Sequence, residues 1–320
     1  MKRTVSLLAI FLFILSAKGQ MEKSNIPPEL KDFKGKKVYL ETLDVPGFEH
    51  HDPSNIIRHN DKFYMWYTEH PKNTRGWNGG YIRCATSRDG YKWEDQGVAI
   101  YKGDYGTIDD KAAITAYVVP HDEKFYLFYS ALGSLGKYPG ITYAVADTPD
   151  GPWEKSGKKV IWPSGDMKDW DGTHSDDTNI VFFFFFWFLY YKARPQSSIH
   201  LRKKTVPTQI GVAISDQLVG PYKKYEGNPI FPGHAFSAWI HRNGVAAMGY
   251  GTFWSEDGIH FVKASDWHTR SCGLYCPENF GTGENYRGVS WGLDVGKRGR
   301  NISRHIFRIE LPLLIKGTNP

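Results

Sequence analysis

Four aromatic-rich segments recur along the chain, and each ends in a tyrosine. They end at Tyr67, Tyr129, Tyr191 and Tyr250, so that the spacings are 62, 62 and 59 residues. A fixed period of this size indicates one supersecondary unit that is stacked several times. Each segment is followed by a polar turn with glycine and an aromatic residue, as in ATSRDGYKWED, which starts at Ala85.

The order of strands and turns within each repeat is that of an antiparallel four-stranded sheet. Such sheets, repeated around an axis, form a β-propeller whose central channel is lined by the start of each innermost strand. Four blades are visible in the repeats. A fifth can be assembled from residues 286–295, residues 304–311 and the N-terminal strand KKVYLE. We therefore predict an all-β fold, a single five-bladed β-propeller over residues 38–315.

One stretch of the third repeat is unusually apolar. The phenylalanines 182–186 continue into the aromatic run 187–191. This stretch is too short to span a bilayer, and it predicts a strand buried on both faces of a sheet. Aromatic residues make up 15% of the chain, with 11 Trp. Most are expected to pack the sheets, while the excess suits a carbohydrate-facing surface.

The first 20 residues have the layout of a cleaved secretory signal. A basic start precedes an apolar run at residues 5–15, and Ala17-x-Gly19 follows. A membrane anchor is the alternative, although the run is shorter than the ~20 residues that a bilayer needs. We expect a signal peptide at 1–20, an N-terminal arm at 21–37 that could be exchanged within a homodimer, and a periplasmic or secreted protein.

Charge and cysteine content narrow the classes of partner. Removing Lys2, Arg3 and Lys18 with the leader lowers the formal net charge from +6 to +3. A nearly neutral protein gives no reason to propose a nucleic-acid or membrane partner. Three cysteines are too few for a disulfide scaffold. Cys272 and Cys276 could form a bridge in an oxidising compartment, and a metal site there would lack a second ligand pair. Cys84 is expected to be a buried thiol.

Polar residues recur 14 to 20 positions before the tyrosine of each repeat, where the innermost strand should enter the channel. They are Asp52 in the first repeat, Asp109 and Asp110 in the second, Asp176 and Asp177 in the third, and His234 in the fourth. Converging carboxylates in a concave site can activate water and protonate a leaving oxygen, as in glycoside hydrolysis. Crowding also raises the pKa of at least one carboxyl. The alternatives are aspartates that cap turns and a structural histidine.

These segments resemble a known group of enzymes. The segment HDPSNIIRHNDKFYMWYTE, from His51, is similar to the opening blade of the five-bladed propeller glycoside hydrolases of families 43 and 117. The segments at 170–193, 211–222, 228–246 and 286–294 resemble, in the same order, further parts of family 117. The resemblance covers the chain from about residue 38 to residue 311.

The resemblance implies roles for three residues: Asp52 as the base that activates water, Asp177 as a second acid, and His234 as a candidate general acid. Family 117 enzymes place Glu directly after that His, whereas this chain has Ala235. Either His234 with Asp177 then completes the acid function, or a carboxylate from elsewhere completes or tunes the site, for which the candidates are Asp110, Glu278 and Glu284. Family 117 releases 3,6-anhydro-L-galactose from agar oligosaccharides. Family 43 resemblance implies a β-xylosidase or α-L-arabinofuranosidase.

Several further residues are candidates for contacting the substrate. They are His51, Arg75, Trp77, His174, Arg194, Arg270 and Arg287. Arginines beside a sugar pocket favour sulfate or carboxylate groups through paired hydrogen bonds.

We therefore predict an exo-acting, inverting glycosidase. Its substrate would be an oligosaccharide of an algal polysaccharide such as agar, carrageenan or ulvan, or of the plant cell wall. The alternative is a carbohydrate-binding propeller without activity. No cofactor is expected, and a cation site at His50, His51, Asp52 and the other channel acids lacks a diagnostic ligand spacing.

Overall fold

The computed structural model describes residues 25–38, 48–71, 78–136, 138–193, 208–234, 236–269, 272–281, 288–297 and 304–315. In these ranges the chain forms five antiparallel sheets, so the predicted five-bladed β-propeller is confirmed. The described helices are two 3₁₀ turns, Pro28–Leu30 and Pro277–Phe280. Within the same ranges no helix has the length and apolar character that a bilayer crossing requires.

The strands follow one another outward from the axis in each of the first four blades. An N-terminal strand, β1 (Lys36–Val38), comes before them in the chain. Blade 1 contains β2 (Phe48–His51), β3 (Ile57–His59), β4 (Lys62–Pro71), β5 (Tyr81–Ser87) and β6 (Glu94–Ile100). Blade 2 contains β7 (Ala112–His121), β8 (Lys124–Leu132), β9 (Gly140–Ala146) and β10 (Glu154–Lys155). Blade 3 contains β11 (Ser175–Phe183), β12 (Phe186–Ala193), β13 (Gln209–Ser215), β14 (Lys223–Lys224) and β15 (Phe231–Pro232). Blade 4 contains β16 (Ser237–His241), β17 (Gly244–Gly249), β18 (Gly251–Ser255) and β19 (Val262–Ser265).

Blade 5 joins the two ends of the chain. Its strands are β20 (Cys272–Leu274), β21 (Gly288–Lys297) and β22 (Arg304–Leu314), and β1 is added on the outside of β22. Lys37 of β1 is paired with Ile309 of β22. The sequence anticipated the N-terminal strand and the two long strands, but it missed the short inner strand β20. Pairing the N-terminal strand with the C-terminal strand closes the ring by hydrogen bonds.

The described part of the N-terminal arm packs against blades 4 and 5 of the same chain. Ile26, Leu30 and Phe33 lie in one hydrophobic core with side chains of those two blades. Glu29 accepts a hydrogen bond from Arg242 Nε at 2.6 Å and contacts His241 Nε2 at 2.9 Å. These contacts hold the arm against blades 4 and 5 just before β1 begins at Lys36.

Asparagine side chains join neighbouring blades near the axis. Asn55 binds both the N–H and the C=O of Val118 at 2.8 Å, which links blades 1 and 2. Asn179 links blade 3 to blade 4 in the same way, since it accepts from Ala238 N and donates to Phe236 O, both at 3.2 Å. Each amide supplies the two hydrogen bonds that a neighbouring strand would otherwise supply, so the inner strands hold fixed relative positions.

The apolar run of blade 3 is a hairpin rather than one continuous buried strand. The chain turns at Phe184 and Phe185, between β11 and β12, and these side chains are 62% and 84% exposed. Both residues have positive φ, 46° and 67°, as do Asn60 and Asp61 at the corresponding turn of blade 1. Tight two-residue hairpin turns of this kind require positive φ and usually contain Asn, Asp or Gly. Phe at both positions is unusual, so the sequence did not reveal the turn.

The predicted bridge between Cys272 and Cys276 is wrong. Cys276 is a free, buried thiol, as is Cys84. Cys272 lies at the start of β20, and an extended run of four residues spans about 13 Å. This span exceeds the ~7 Å between Cα atoms that a disulfide allows.

Replacing Phe184 and Phe185 with Asn and Gly should stabilise the protein. Asn and Gly adopt positive φ at less cost than Phe, and we expect a gain of about 1 to 2 kcal/mol in the free energy of unfolding, partly offset by the lost contact between Phe184 and Phe183. Denaturant unfolding measures this change in the free energy of unfolding. The reciprocal change in blade 1, Asn60→Phe with Asp61→Phe, should destabilise. A loss of stability in the first variant would contradict the assigned turn.

Candidate active site

Three inner strands bulge at equivalent positions, and each bulge centres on a residue with positive φ. These residues are Asp52 in blade 1 (48°), Thr115 in blade 2 (53°) and Asp177 in blade 3 (51°). The pairing register shifts at the second and third, between Ile114 and Tyr117 and between residues 176 and 179. β-Bulges redirect side chains at the ends of strands. Here they bring equivalent positions of three blades to one end of the axis.

The second blade carries Thr115 at this position, where the repeat comparison expected Asp109 or Asp110. Asp109 corresponds instead to Asp171 of blade 3. Each lies 20 residues before the tyrosine of its repeat and accepts from that tyrosine hydroxyl, at 2.9 and 3.4 Å. Each also binds a lysine, Lys155 and Lys224. The window of 14 to 20 residues before the tyrosine therefore mixed two different positions of the repeat.

The bulges surround an open cavity of about 390 Å³. Its lining residues are 52–55 of blade 1, 115–117 of blade 2, 177–179 of blade 3 and Phe236 of blade 4. The two carboxyl groups in this lining are those of Asp52 and Asp177. The convergence that the sequence predicted for these two residues is therefore present, and Phe236 and Tyr117 supply aromatic surface beside them.

A buried lysine lies next to these acids. Lys192 of β12 is 6% exposed, and its Nζ forms an ion pair with Asp177 and lies 3.5 Å from Asp176 Oδ2. Lys192 is placed there by the sheet, because it is the cross-strand partner of Asp176. Asp177 N also donates to Ser130 Oγ at 3.2 Å, which fixes the bulge against blade 2.

The charges of this cluster are unbalanced. Asp52, Asp176 and Asp177 supply three carboxylates that interact with the single ammonium of Lys192. Burial raises the pKa of Asp177, Lys192 lowers it in part, and Asp176 and Asp52 raise it, so that it lies at about 7. The three carboxylates raise the pKa of Lys192 against the effect of burial. Asp177 can therefore gain or lose a proton near neutral pH while Lys192 stays charged.

Four other predicted residues lie outside the cavity lining. Asp110 accepts hydrogen bonds from the N–H groups of Gly106 and Ser134, both at 2.8 Å, and so holds a turn of blade 2. Glu278 is buried on the 3₁₀ turn Pro277–Phe280 and accepts from Cys276 Sγ at 3.5 Å. The other two are His51, in β2, and His174, which is buried just before β11.

His234 is exposed and lies beside the cavity rather than in its lining. Its Nδ1 is 3.1 Å from Thr208 Oγ1, which is itself 3.5 Å from the hydroxyl of Tyr250. The chain reaches the cavity two residues later, at Phe236. His234 is therefore placed on the blade-4 side of the opening.

Other predicted residues lie outside the described part of the chain. They are Glu284, Arg75, Trp77, Arg194, Arg270 and Arg287, together with Ala235, at which the chain departs from family 117.

A shared cation at His50 and His51 is not favoured, because neighbouring residues of β2 point to opposite faces. His50 Nε2 is 2.7 Å from Glu69 Oε2, while His51 Nε2 is 3.0 Å from Glu49 Oε2. The two imidazoles thus belong to separate clusters.

Several known proteins are similar to this chain. The model of glycosyl hydrolases family 43 matches residues 45–201. Zg3597, a family 117 glycoside hydrolase produced by the marine bacterium Zobellia galactanivorans, is 26% identical, with a TM-score of 0.77 over 88% of this chain and 91% of that chain. The chain is a glycosidase, and its propeller is similar to those of the glycoside hydrolases of families 43 and 117.

More distant structures share the fold of this glycosidase. The GH43_1 enzyme from Xanthomonas citri complexed with xylotriose is 13% identical, with a TM-score of 0.55 over 85% of this chain and 89% of that chain. Fructan 1-exohydrolase IIa from Cichorium intybus is 12% identical, with a TM-score of 0.60 over 85% of this chain and 57% of that chain. No curated protein matches the glycosidase by sequence.

Lys192 and Thr115 were missed from the sequence. Lys192 had a usable signal, since it is the lone lysine near the end of an apolar strand, β12, whose other residues are buried. Thr115 had none, because threonine is common in strands. Finding it required the exact register of the second repeat.

Lys192→Met should destabilise this glycosidase, and more so at alkaline pH. Without the ammonium, the pKa of Asp177 rises further above its unfolded value. The stability that comes from its protonated form is then lost as pH increases. We expect a loss of about 3 to 5 kcal/mol, as for other buried pairs that lose one partner. Denaturant unfolding at pH 5 and pH 9 measures both values.

Lys124→Met is the matched control for this change. Lys124 pairs with Asp147 at 3.0 Å, and the two side chains are 51% and 83% exposed. Its removal should cost at most about 1 kcal/mol. An equal loss for Lys192→Met at both pH values would contradict the charge balance described for the cavity.

Proposed function

We propose that the protein is an exo-acting, inverting glycosidase in which Asp52 is the general base and Asp177 the general acid. One observation carries this assignment: the carboxyl groups of Asp52 and Asp177 line one cavity, in which burial and the neighbouring acids raise the pKa of Asp177 to about 7. Two carboxyl groups in different protonation states are the requirement of this chemistry, since one must take a proton while the other gives one.

In the proposed reaction, Asp52 removes a proton from water as the water oxygen attacks the anomeric carbon. The bond between that carbon and the glycosidic oxygen breaks, and the departing oxygen takes the proton of Asp177. Asp52 is then protonated and Asp177 ionised, and exchange with solvent restores both. The ammonium of Lys192 contacts the carboxylate that forms on Asp177, so it stabilises the ionised state without taking part in the proton transfer.

The exo mode is supported by the position of the cavity at one end of the propeller axis. The cavity is bounded by the inner strands of four blades. A substrate would therefore enter with its terminal sugar first, and the remaining sugars would extend outward.

Among substrates, we favour oligosaccharides of an algal galactan with a terminal 3,6-anhydro-galactose. This choice rests on the similarity to a family 117 enzyme of a marine bacterium at 26% identity, against 13% for the xylotriose-bound family 43 enzyme. Specificity of the β-xylosidase or α-L-arabinofuranosidase type is the alternative. A panel of agar, carrageenan, ulvan and xylan oligosaccharides, scored for released monosaccharide, distinguishes these substrates.

Asp52→Asn should remove activity without affecting folding. Loss of a general base lowers kcat by about 10² to 10⁴-fold, because the amide cannot accept the proton of water. Chromatography of released monosaccharide measures the rate, and circular dichroism checks the fold. Asp147→Asn, on an exposed strand end, is the matched control and should keep full activity. An unchanged rate for Asp52→Asn would rule out this base. Binding of sugars without cleavage by the wild type would favour the carbohydrate-binding alternative.

The identity of the acid can be tested through pH and the leaving group. For the wild type, kcat should fall as pH rises above about 7, where Asp177 loses its proton. Asp177→Asn should remove this decrease and lower kcat on natural substrates. It should retain far more activity on an aryl glycoside, whose phenol leaves without protonation.

His234→Gln provides the comparison. If Asp177 is the acid, this variant keeps the decrease above pH 7 and shows no such dependence on the leaving group. If His234→Gln shows both effects and Asp177→Asn neither, the proton donor is His234.

A further inference from the structure

A group of titratable side chains on β2 and β4 has no role in the proposed reaction. In the ladder between β2 and β4, Glu49 lies opposite His70 and His51 lies opposite Thr68. Glu49 and His51 are two residues apart on one strand, so their side chains share a face, and His70 joins them from across the ladder. The pair His50 and Glu69 occupies the opposite face.

The ligand atoms of these three residues converge on one point. Glu49 Oε2 is 3.0 Å from His51 Nε2 and 3.7 Å from His70 Nε2, and all three atoms lie within 4.8 Å of one another. The two imidazole rings are stacked, with centroids 4.8 Å apart and an angle of 24° between their planes. His51 is 2% exposed and His70 is 8% exposed. Both rings are thus held in place by packing.

His70 presents Nε2 to the Glu49 carboxylate. His70 Nδ1 is 3.1 Å from the carbonyl oxygen of Pro71, and only a protonated nitrogen can donate to that oxygen. With Nδ1 protonated, the neutral ring has its lone pair on Nε2, on the side of Glu49. Either a second proton on the ring or a bound cation can then join Nε2 to the carboxylate. A backbone carbonyl behind the ring is the usual second contact of a metal-bound histidine.

We propose that Glu49, His51 and His70 form a binding site for a divalent transition metal, with Zn²⁺ as the best-matched ion. Two imidazoles and one carboxylate are a common ligand set for zinc, and a fourth position stays open for water. Bonds of about 2.0 to 2.1 Å place tetrahedral ligand atoms about 3.3 Å apart, between the 3.0 and 3.7 Å seen for the two Glu49 pairs. Calcium and magnesium prefer oxygen ligands and fit this set poorly.

The ion would fix the end of β2 to β4. His51 immediately precedes Asp52, the bulged residue that lines the cavity. A metal bound to His51 therefore holds the strand end from which the bulge begins. The proposal does not depend on the catalytic roles assigned to Asp52 and Asp177, since the ligands lie outside the cavity lining.

The test uses tag-free protein freed of metal with a chelator, because an affinity tag of histidines would itself bind zinc. Titration with ZnCl₂ against a chromophoric indicator should give about one Zn²⁺ per chain, and the melting temperature should rise on zinc addition. His70→Gln and Glu49→Gln should each weaken binding by at least about tenfold. X-ray absorption of the zinc-loaded wild type should report two imidazole ligands and no sulfur.

His260→Gln is the matched control, since His260 is 47% exposed and pairs with Asp257 away from this ladder. It should bind zinc as the wild type does. The proposal is overturned if the wild type binds no stoichiometric zinc, if His70→Gln binds it equally well, or if sulfur is among the ligands. The wild-type stoichiometry and ligand spectrum decide the matter even if a variant fails to fold.

Discussion

One buried ammonium among three carboxylates is the interaction on which the cavity depends. Lys192 lies between Asp176 and Asp177 and interacts with Asp52 across the axis. Moving charged groups from water into the protein interior costs free energy. The cost is larger when positive and negative charges are unequal in number. The excess of acids and their burial raise the pKa of Asp177 to about 7, so a proton on this carboxyl lowers the cost. In the proposed reaction the same proton goes to the glycosidic oxygen, so a feature that costs stability would supply the chemistry.

The fold supplies the positions of these charges. Three inner strands bulge at the same place in the repeat, so residues about 60 positions apart in sequence reach the same end of the axis. Asparagine amides fix blade 1 to blade 2 and blade 3 to blade 4, and the N-terminal strand closes the ring on blade 5. The positive φ of Asp52 and Asp177 is costly for side chains other than glycine. Such strain persists where the surrounding structure holds the strained residue in place. Here the hydrogen bonds between the inner strands of neighbouring blades do so.

The repeat made most of the architecture predictable. The spacing of the tyrosines gave four blades, and the chain ends gave most of the fifth. Asp52 and Asp177 could be predicted because they are acids at one position of the repeat. Asp110 was placed at that position because a window of several residues cannot resolve register, and a bulge changes register by one residue. Lys192 and the pair of Glu49 with His70 depend on cross-strand partners, which a single sequence does not specify.

A crystal structure of Asp52→Asn with a bound oligosaccharide tests the central claim most directly. The account predicts that the terminal sugar fills the cavity between blades 1 and 3, with its glycosidic oxygen in hydrogen-bond contact with the carboxyl of Asp177 and its anomeric carbon open to water on the side of residue 52. A sugar bound elsewhere on the propeller, or a glycosidic oxygen in contact with His234 and distant from Asp177, would contradict it.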